Sequence, residues 1–144
     1  MNLLDANILL YAYDRSSAHH VGARKWLETA LSGPTPVAFC WPTILSFMRI
    51  ATHRKAMARP LAVDDARKIV ESWLEQPIAT IVSPTARHWA VLAGLLTSGQ
   101  VSGALVSDAH LAALAIEHGA TLVTNDRDFE RFPGLDVEYP LLGG

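Results

Sequence analysis

Gly119-Ala120-Thr121-Leu122-Val123-Thr124-Asn125-Asp126-Arg127-Asp128-Phe129 is the stretch on which the fold turns. Its short apolar run follows a glycine and breaks into Asn-Asp, which is the length and punctuation of a buried strand entering a turn. Acids follow at once. The same order opens the chain, where Met1-Asn2-Leu3-Leu4 runs into Asp5, and a third acid, Asp108, follows Leu105-Val106-Ser107. An apolar strand that ends in a carboxylate is how an open parallel sheet presents acids at its carboxyl edge, where ligands bind.

Outward from this stretch, short apolar runs alternate with longer amphipathic ones, the pattern of a mostly parallel sheet covered by helices. Strands are expected over 2–4, 37–40, 79–82 and 120–124, with a weaker fifth over 137–139. Helices are expected over 5–13, 19–32, 42–52, 63–75, 85–97 and 107–118. Val21, Trp26, Leu27, Ala30 and Leu31 recur at helical spacing, and so do Ile44, Leu45, Met48 and Ala51 behind Pro42, which suits a first helical turn. Pro77 stops the helix that starts near Val63, Ser107 is a suitable N-cap, and Gly119 closes the helix before the stretch quoted above. Neither a repeat nor a linker divides the chain, so residues 1–144 read as one domain.

Composition narrows the classes. A chain of 144 residues is long enough to bury about two-thirds of its unfolded surface. Half of it is hydrophobic, yet no apolar run approaches the roughly 18 residues of a membrane span. That excess suggests a surface covered by a partner, for which Trp26, Trp41, Phe47, Trp73 and Trp89 are candidates, most of them also suited to a core. The chain opens on its first strand with no basic leader, and its one cysteine, Cys40, sits in an apolar run. Both point to a reducing cytoplasm without disulfides. A net charge of −2 leaves any nucleic-acid affinity to local patches. Arg49, His53, Arg54, Lys55 and Arg59 form the densest one, either a solvated helix end or a phosphate-contacting rim; Arg127 and Arg131 lie beside the last acids. Neither a phosphate-binding glycine loop nor a Gly-x-Ser-x-Gly elbow occurs.

Each aspartate has an ordinary reading. Asp5 would cap a helix, Asp108 would complement a helix dipole, and Asp126 and Asp128 would form a turn. Together they have another. Three separate elements deliver carboxylates to one sheet edge, where they repel unless a hard cation sits among them, and Mg²⁺ or Mn²⁺ is the expected occupant. Such an ion polarises a phosphoryl oxygen and acidifies a bound water for in-line attack. His19 and His20 are adjacent and would face apart on a helix, and His53, His88, His110 and His118 are scattered in sequence, so no zinc cluster competes. A phospho-receiver domain is also a doubly wound sheet with an acidic pocket. It calls for paired acids after the first strand and a late lysine, whereas Asp5 stands alone and no lysine follows Lys68.

Three segments resemble the PIN-domain family, in particular its VapC-type toxins. They are Leu-Leu-Asp-Ala-Asn-Ile-Leu-Leu-Tyr-Ala at the start, Leu-Val-Ser-Asp-Ala-His-Leu-Ala-Ala-Leu-Ala, and Gly-Ala-Thr-Leu-Val-Thr-Asn-Asp-Arg-Asp-Phe; Trp-Pro-Thr-Ile-Leu-Ser-Phe-Met-Arg-Ile-Ala-Thr resembles a variant common among actinobacterial members. The resemblance implies a three-layer α/β/α sandwich on about five strands, Mg²⁺- or Mn²⁺-dependent endoribonuclease activity, a homodimer, and a cognate VapB-type antitoxin. It assigns catalysis to Asp5, Asp108, Asp126 and Asp128, and metal binding to the first three. Asn7 and Thr124 match positions that support the carboxylates by hydrogen bonds, and Arg49, Arg54 and Arg127 become candidates for RNA contact. Ser46 stands where many members carry a glutamate. That substitution leaves a weakly catalytic or non-catalytic PIN-like binding module as the alternative.

Overall fold

Alternate side chains of a strand face opposite ways, and Leu3 and Leu4 begin two separate cores on that basis. The structure, a computed structural model, describes residues 1–141; the last three residues of the expected domain lie outside the described residues. Strands β1 (Asn2–Leu4), β2 (Val37–Phe39), β3 (Ala79–Ile81), β4 (Thr121–Val123) and β5 (Asp136–Glu138) have three residues each. All pair in parallel, in the order β3-β2-β1-β4-β5. The "mostly parallel" sheet is therefore parallel throughout. Leu3 pairs with Leu122 and Leu4 with Val123, so the register keeps like-facing residues together.

Leu4, Val37, Phe39 and Val123 face helices α1 (Ala6–Tyr13), α2 (His20–Ser32), α3 (Trp41–Ala51) and α4 (Val63–Leu74). Leu3, Ala38 and Leu122 face α5 (His88–Ser98) and α6 (Leu105–Glu117). The result is the expected α/β/α sandwich. On the first side Trp73 stacks on Phe39, with centroids 5.6 Å apart and planes 3° apart, and meets the edge of Phe47 at 4.8 Å. Its indole N–H donates to the Tyr13 hydroxyl at 3.0 Å. On the second side Ala109, Ala112, Ala113 and Ala115 let α6 lie close against the sheet.

Two helix starts differ from expectation. Helix α5 begins at His88 rather than near 85, because the Thr85 N–H and hydroxyl are both drawn to Glu117 on α6. Helix α6 begins at Leu105, two residues before Ser107, after a turn made by Gly103 in the left-handed region (φ 59°). Ser107 therefore caps nothing. Gly119 (φ 62°) ends α6 as expected, in a conformation that glycine adopts without strain. Trp73 and Phe47 belong to the core and Trp26 is partly buried, whereas Trp41 and Trp89 stay exposed.

The strand order reverses between β1 and β4, since β1 continues to β2 on one side while the chain crosses to β4 on the other. Such a switch point leaves a crevice at the carboxyl ends of the two strands. Asp5 follows β1 and Thr124 follows β4 at that point.

Candidate metal centre

Thr124 organises the crevice. Its hydroxyl is fully buried and donates to Asp5 Oδ2 at 2.8 Å, while accepting from Asn7 Nδ2 at 3.1 Å and from the Asp126 backbone N–H at 3.1 Å. A hydroxyl has one proton and two lone pairs, so all its capacity is used. Asp5 Oδ1 accepts from the Ala6 N–H at 2.7 Å, which caps α1, and Asn7 Oδ1 accepts from the Asn125 N–H at 3.2 Å. These bonds tie the segment after β4 to the start of α1. Asp126 also caps a 3₁₀ turn, Arg127–Arg131, by accepting from the Asp128 N–H at 2.9 Å. The ordinary roles of Asp5 and Asp126 thus coexist with their place in the crevice.

Asp108 enters from the other side, in the first turn of α6. Carboxylate oxygens of Asp108, Asp126 and Asp128 lie within 4.8 Å of one another. Among the described residues Asp5 is outside that set, and it shares with Asp108 a cleft of 110 Å³ also lined by Pro42, Thr43, Ser46 and His110. Ser46 therefore faces the cleft from α3 without bringing a charge. Burial, followed by repulsion from Asp126, Asp5 and Asp128, pushes the Asp108 carboxyl up to about 6, and Arg131 works against this. Burial also raises the Asp5 carboxyl; the Thr124 and Ala6 hydrogen bonds oppose it and Asp126 adds to it. A larger cavity of 490 Å³, bordered by Tyr13, Arg15 and Arg59, contains none of these acids, so size does not mark the site.

The cationic candidates divide. Arg127 pairs with Glu130 at 2.8 Å and lies over the Tyr139 ring. Arg131 binds backbone oxygens of Asp128 and Gly99 and acts electrostatically on Asp108, which makes it an arginine bound into the rim of the site. Arg49 sits one turn beyond Ser46 on α3, and Arg54 is exposed in the following loop.

His88 and His110, far apart in sequence, meet: His88 Nε2 is 2.9 Å from His110 Nδ1, and His88 Nδ1 hydrogen-bonds Glu117 Oε2. Burial disfavours the Glu117 charge, but bonds from Thr85 and His88 outweigh it and hold this carboxyl below its ordinary value. Sequence reading passed over this trio. The one available signal was the pairing of the helices that carry the histidines, since antiparallel neighbours bring residues 88 and 110 together.

The donor set fits a hard divalent cation. It consists of carboxylate oxygens whose mutual repulsion is unrelieved without one, and no sulfur or imidazole stands among the three clustered acids.

The profile of the PIN domain family matches residues 3–135. The chain is 46% identical over 140 residues to ribonuclease VapC37 of Mycobacterium tuberculosis, covering 97% of each. It is 35% identical over 141 residues to ribonuclease VapC33 of the same organism, covering 98% of this chain and 99% of the other. Among solved structures, VapBC2 from Rickettsia felis, bound to a DNA fragment from its promoter, superposes with a TM-score of 0.69 at 22% identity. That likeness covers 95% of this chain and 96% of the other, and at that identity it speaks for the fold.

Proposed function

Since the chain belongs to the PIN-domain family, we propose that it is an endoribonuclease, the toxin of a toxin–antitoxin pair, which hydrolyses RNA phosphodiester bonds at the cleft between β1, β4 and α6. The observation that carries this reading is the position of Asp108 at the switch point of the sheet, where it clusters with Asp126 and Asp128 beyond β4 and shares a cleft with Asp5 beyond β1.

Asp5, Asp108 and Asp126 would hold Mg²⁺ or Mn²⁺, with Asp128 close enough to orient water. When bound, such an ion polarises a phosphoryl oxygen and lowers the pKa of water. The chain's own residues do the rest. Thr124 and Asn7 lock the Asp5 carboxylate, and Ser46 brings a hydroxyl side chain to the lining of the cleft. Arg131, with Arg127, Arg49 and Arg54 further out, supplies phosphate contacts that position RNA. In-line attack by water on phosphorus with the 3′-oxygen as leaving group, which takes up a proton, would leave 5′-phosphate and 3′-hydroxyl ends.

The VapB-type antitoxin, the homodimer and the cytoplasm belong to the same proposal. Trp41 and Leu45, one turn apart on α3, are 52% and 61% exposed, an apolar surface beside the cleft that a second chain would cover. No helix among the described residues is long and apolar enough to cross a membrane.

Purified protein is expected to cut single-stranded RNA with Mg²⁺ or Mn²⁺ and to stop on chelation. Asp5→Asn and Asp126→Asn should each lower the rate by about 100-fold or more, in the range of losing a charge-stabilising group. Absence of cleavage with either ion, together with cellular toxicity that survives Asp5→Asn, would overturn the nuclease in favour of a binding module.

A further inference from the structure

Glu117 ends α6 with its side chain fully excluded from solvent, although nothing in the metal centre uses it. Its Oε1 accepts from the Thr85 N–H at 2.9 Å and the Thr85 hydroxyl at 2.6 Å, and its Oε2 accepts from His88. A carboxylate has no proton to give, so the hydrogen in the last bond belongs to His88 Nδ1. The Nε2 of a neutral His88 is then a lone pair. It faces His110 Nδ1 at 2.9 Å, and with a single ring hydrogen on His88, already given to Glu117, the hydrogen between the two nitrogens comes from His110. This places the one ring hydrogen of a neutral His110 on Nδ1 and leaves Nε2 as a bare acceptor, with no partner among the described residues. Each link sets the tautomer of the next, starting from an acid that the interior holds in place.

His110 lines the cleft with Asp5, Ser46 and Asp108. An acceptor is an unusual group for a wall that must meet RNA phosphates, which only accept. The group that donates a hydrogen bond next to every phosphate of RNA, and that DNA lacks, is the ribose 2′-hydroxyl. We propose that the Glu117–His88–His110 chain makes His110 Nε2 the acceptor for a 2′-hydroxyl beside the scissile phosphate, so that it selects RNA over DNA. His110 then touches substrate, while His88 and Glu117 are positioning residues. This rests on the ribonuclease reading above. Water-driven hydrolysis has no chemical need for the 2′-hydroxyl, so a ribose preference would have to arise from binding.

The test compares a short single-stranded RNA with versions carrying one 2′-deoxynucleotide at each position around the mapped cut, using the full-length protein. The wild type is expected to lose about tenfold in kcat/KM at one position only, the scale of one hydrogen bond. His110→Phe should bring that ratio close to one, and His110→Asn, which retains an acceptor, should restore part of it. His88→Ala should reduce the ratio several-fold when assayed below the lower melting temperature expected once buried Glu117 loses that partner. A ratio unchanged in His110→Phe, or equal losses on RNA and DNA, would overturn the proposal and mark His110 as structural or as a phosphate contact. If the wild type cuts no RNA, the nuclease reading fails. Anisotropy of the same RNA and its all-deoxy counterpart on wild type and His110→Phe then decides the contact by the same ratio.

Discussion

Asp108 is the residue at which function and stability oppose each other most directly. Its carboxyl is pushed up to about 6 from an ordinary value of 3.8, by burial first and then by three neighbouring acids. The folded chain therefore keeps a proton there that the unfolded chain has already released. Stability from this group is present below the ordinary value and is lost as pH rises through about 6. In the metal-free protein the melting temperature should accordingly fall between about pH 4 and pH 7. Asp108→Asn should flatten that fall, raise the metal-free melting temperature at neutral pH by a few degrees, and abolish the stabilisation given by added Mg²⁺. Thermal scans across pH, with and without Mg²⁺, check all three; a flat profile in the wild type would contradict the repulsion argument.

Helix α3 carries the open corner of the site. Pro42 in its first turn and the spacing of Ile44, Phe47 and Ala51 turn one face to the core, which leaves Ser46 on the side of the cleft. Ser46→Glu would add a fourth carboxylate. It should tighten Mg²⁺ binding by about tenfold, since charge count tunes such sites, and lower metal-free stability at neutral pH; isothermal titration calorimetry measures the first and an unchanged affinity would count against Ser46 facing the ion. The extent of this helix was legible from its own residues, as were the strands, because apolar spacing, Pro42 and Gly119 are local signals. Its buried face was legible only in part, since Leu45, expected beside Ile44 and Ala51, is exposed and Phe47 is buried in its place. The starts of α5 and α6 were not legible. Thr85 leaves the helical path because Glu117, 32 positions away, captures its N–H and hydroxyl, and no local pattern encodes that. The aspartates could be picked out one by one in the sequence. Their grouping depends on the sheet order, which brings the ends of β1 and β4 side by side.

Across the whole molecule the two cores do different work. The side holding α5 and α6 sets Asp108 and the histidine chain, whereas the side holding α1 to α4 is anchored by the aromatic contacts of Phe39, Phe47, Tyr13 and Trp73. Trp73→Ala should cost about 3–5 kcal/mol in denaturant unfolding, the range for a fully buried large side chain. Because Trp73 meets none of the site residues, the fraction that remains folded should bind Mg²⁺ as the wild type does. The Thr124 hydroxyl has a counterpart consequence for motion. It is shared by the end of β1, the first turn of α1 and the segment beyond β4, so none of the three can swing out alone without orphaning a buried group on the others. Local opening, the usual fate of surface loops, is thereby coupled to separation of the central strands. Asp5 and Asp126 keep their places for as long as the sheet holds together, and adaptation to substrate falls to the groups outside that knot, the outer arginines and the exposed face of α3 among them.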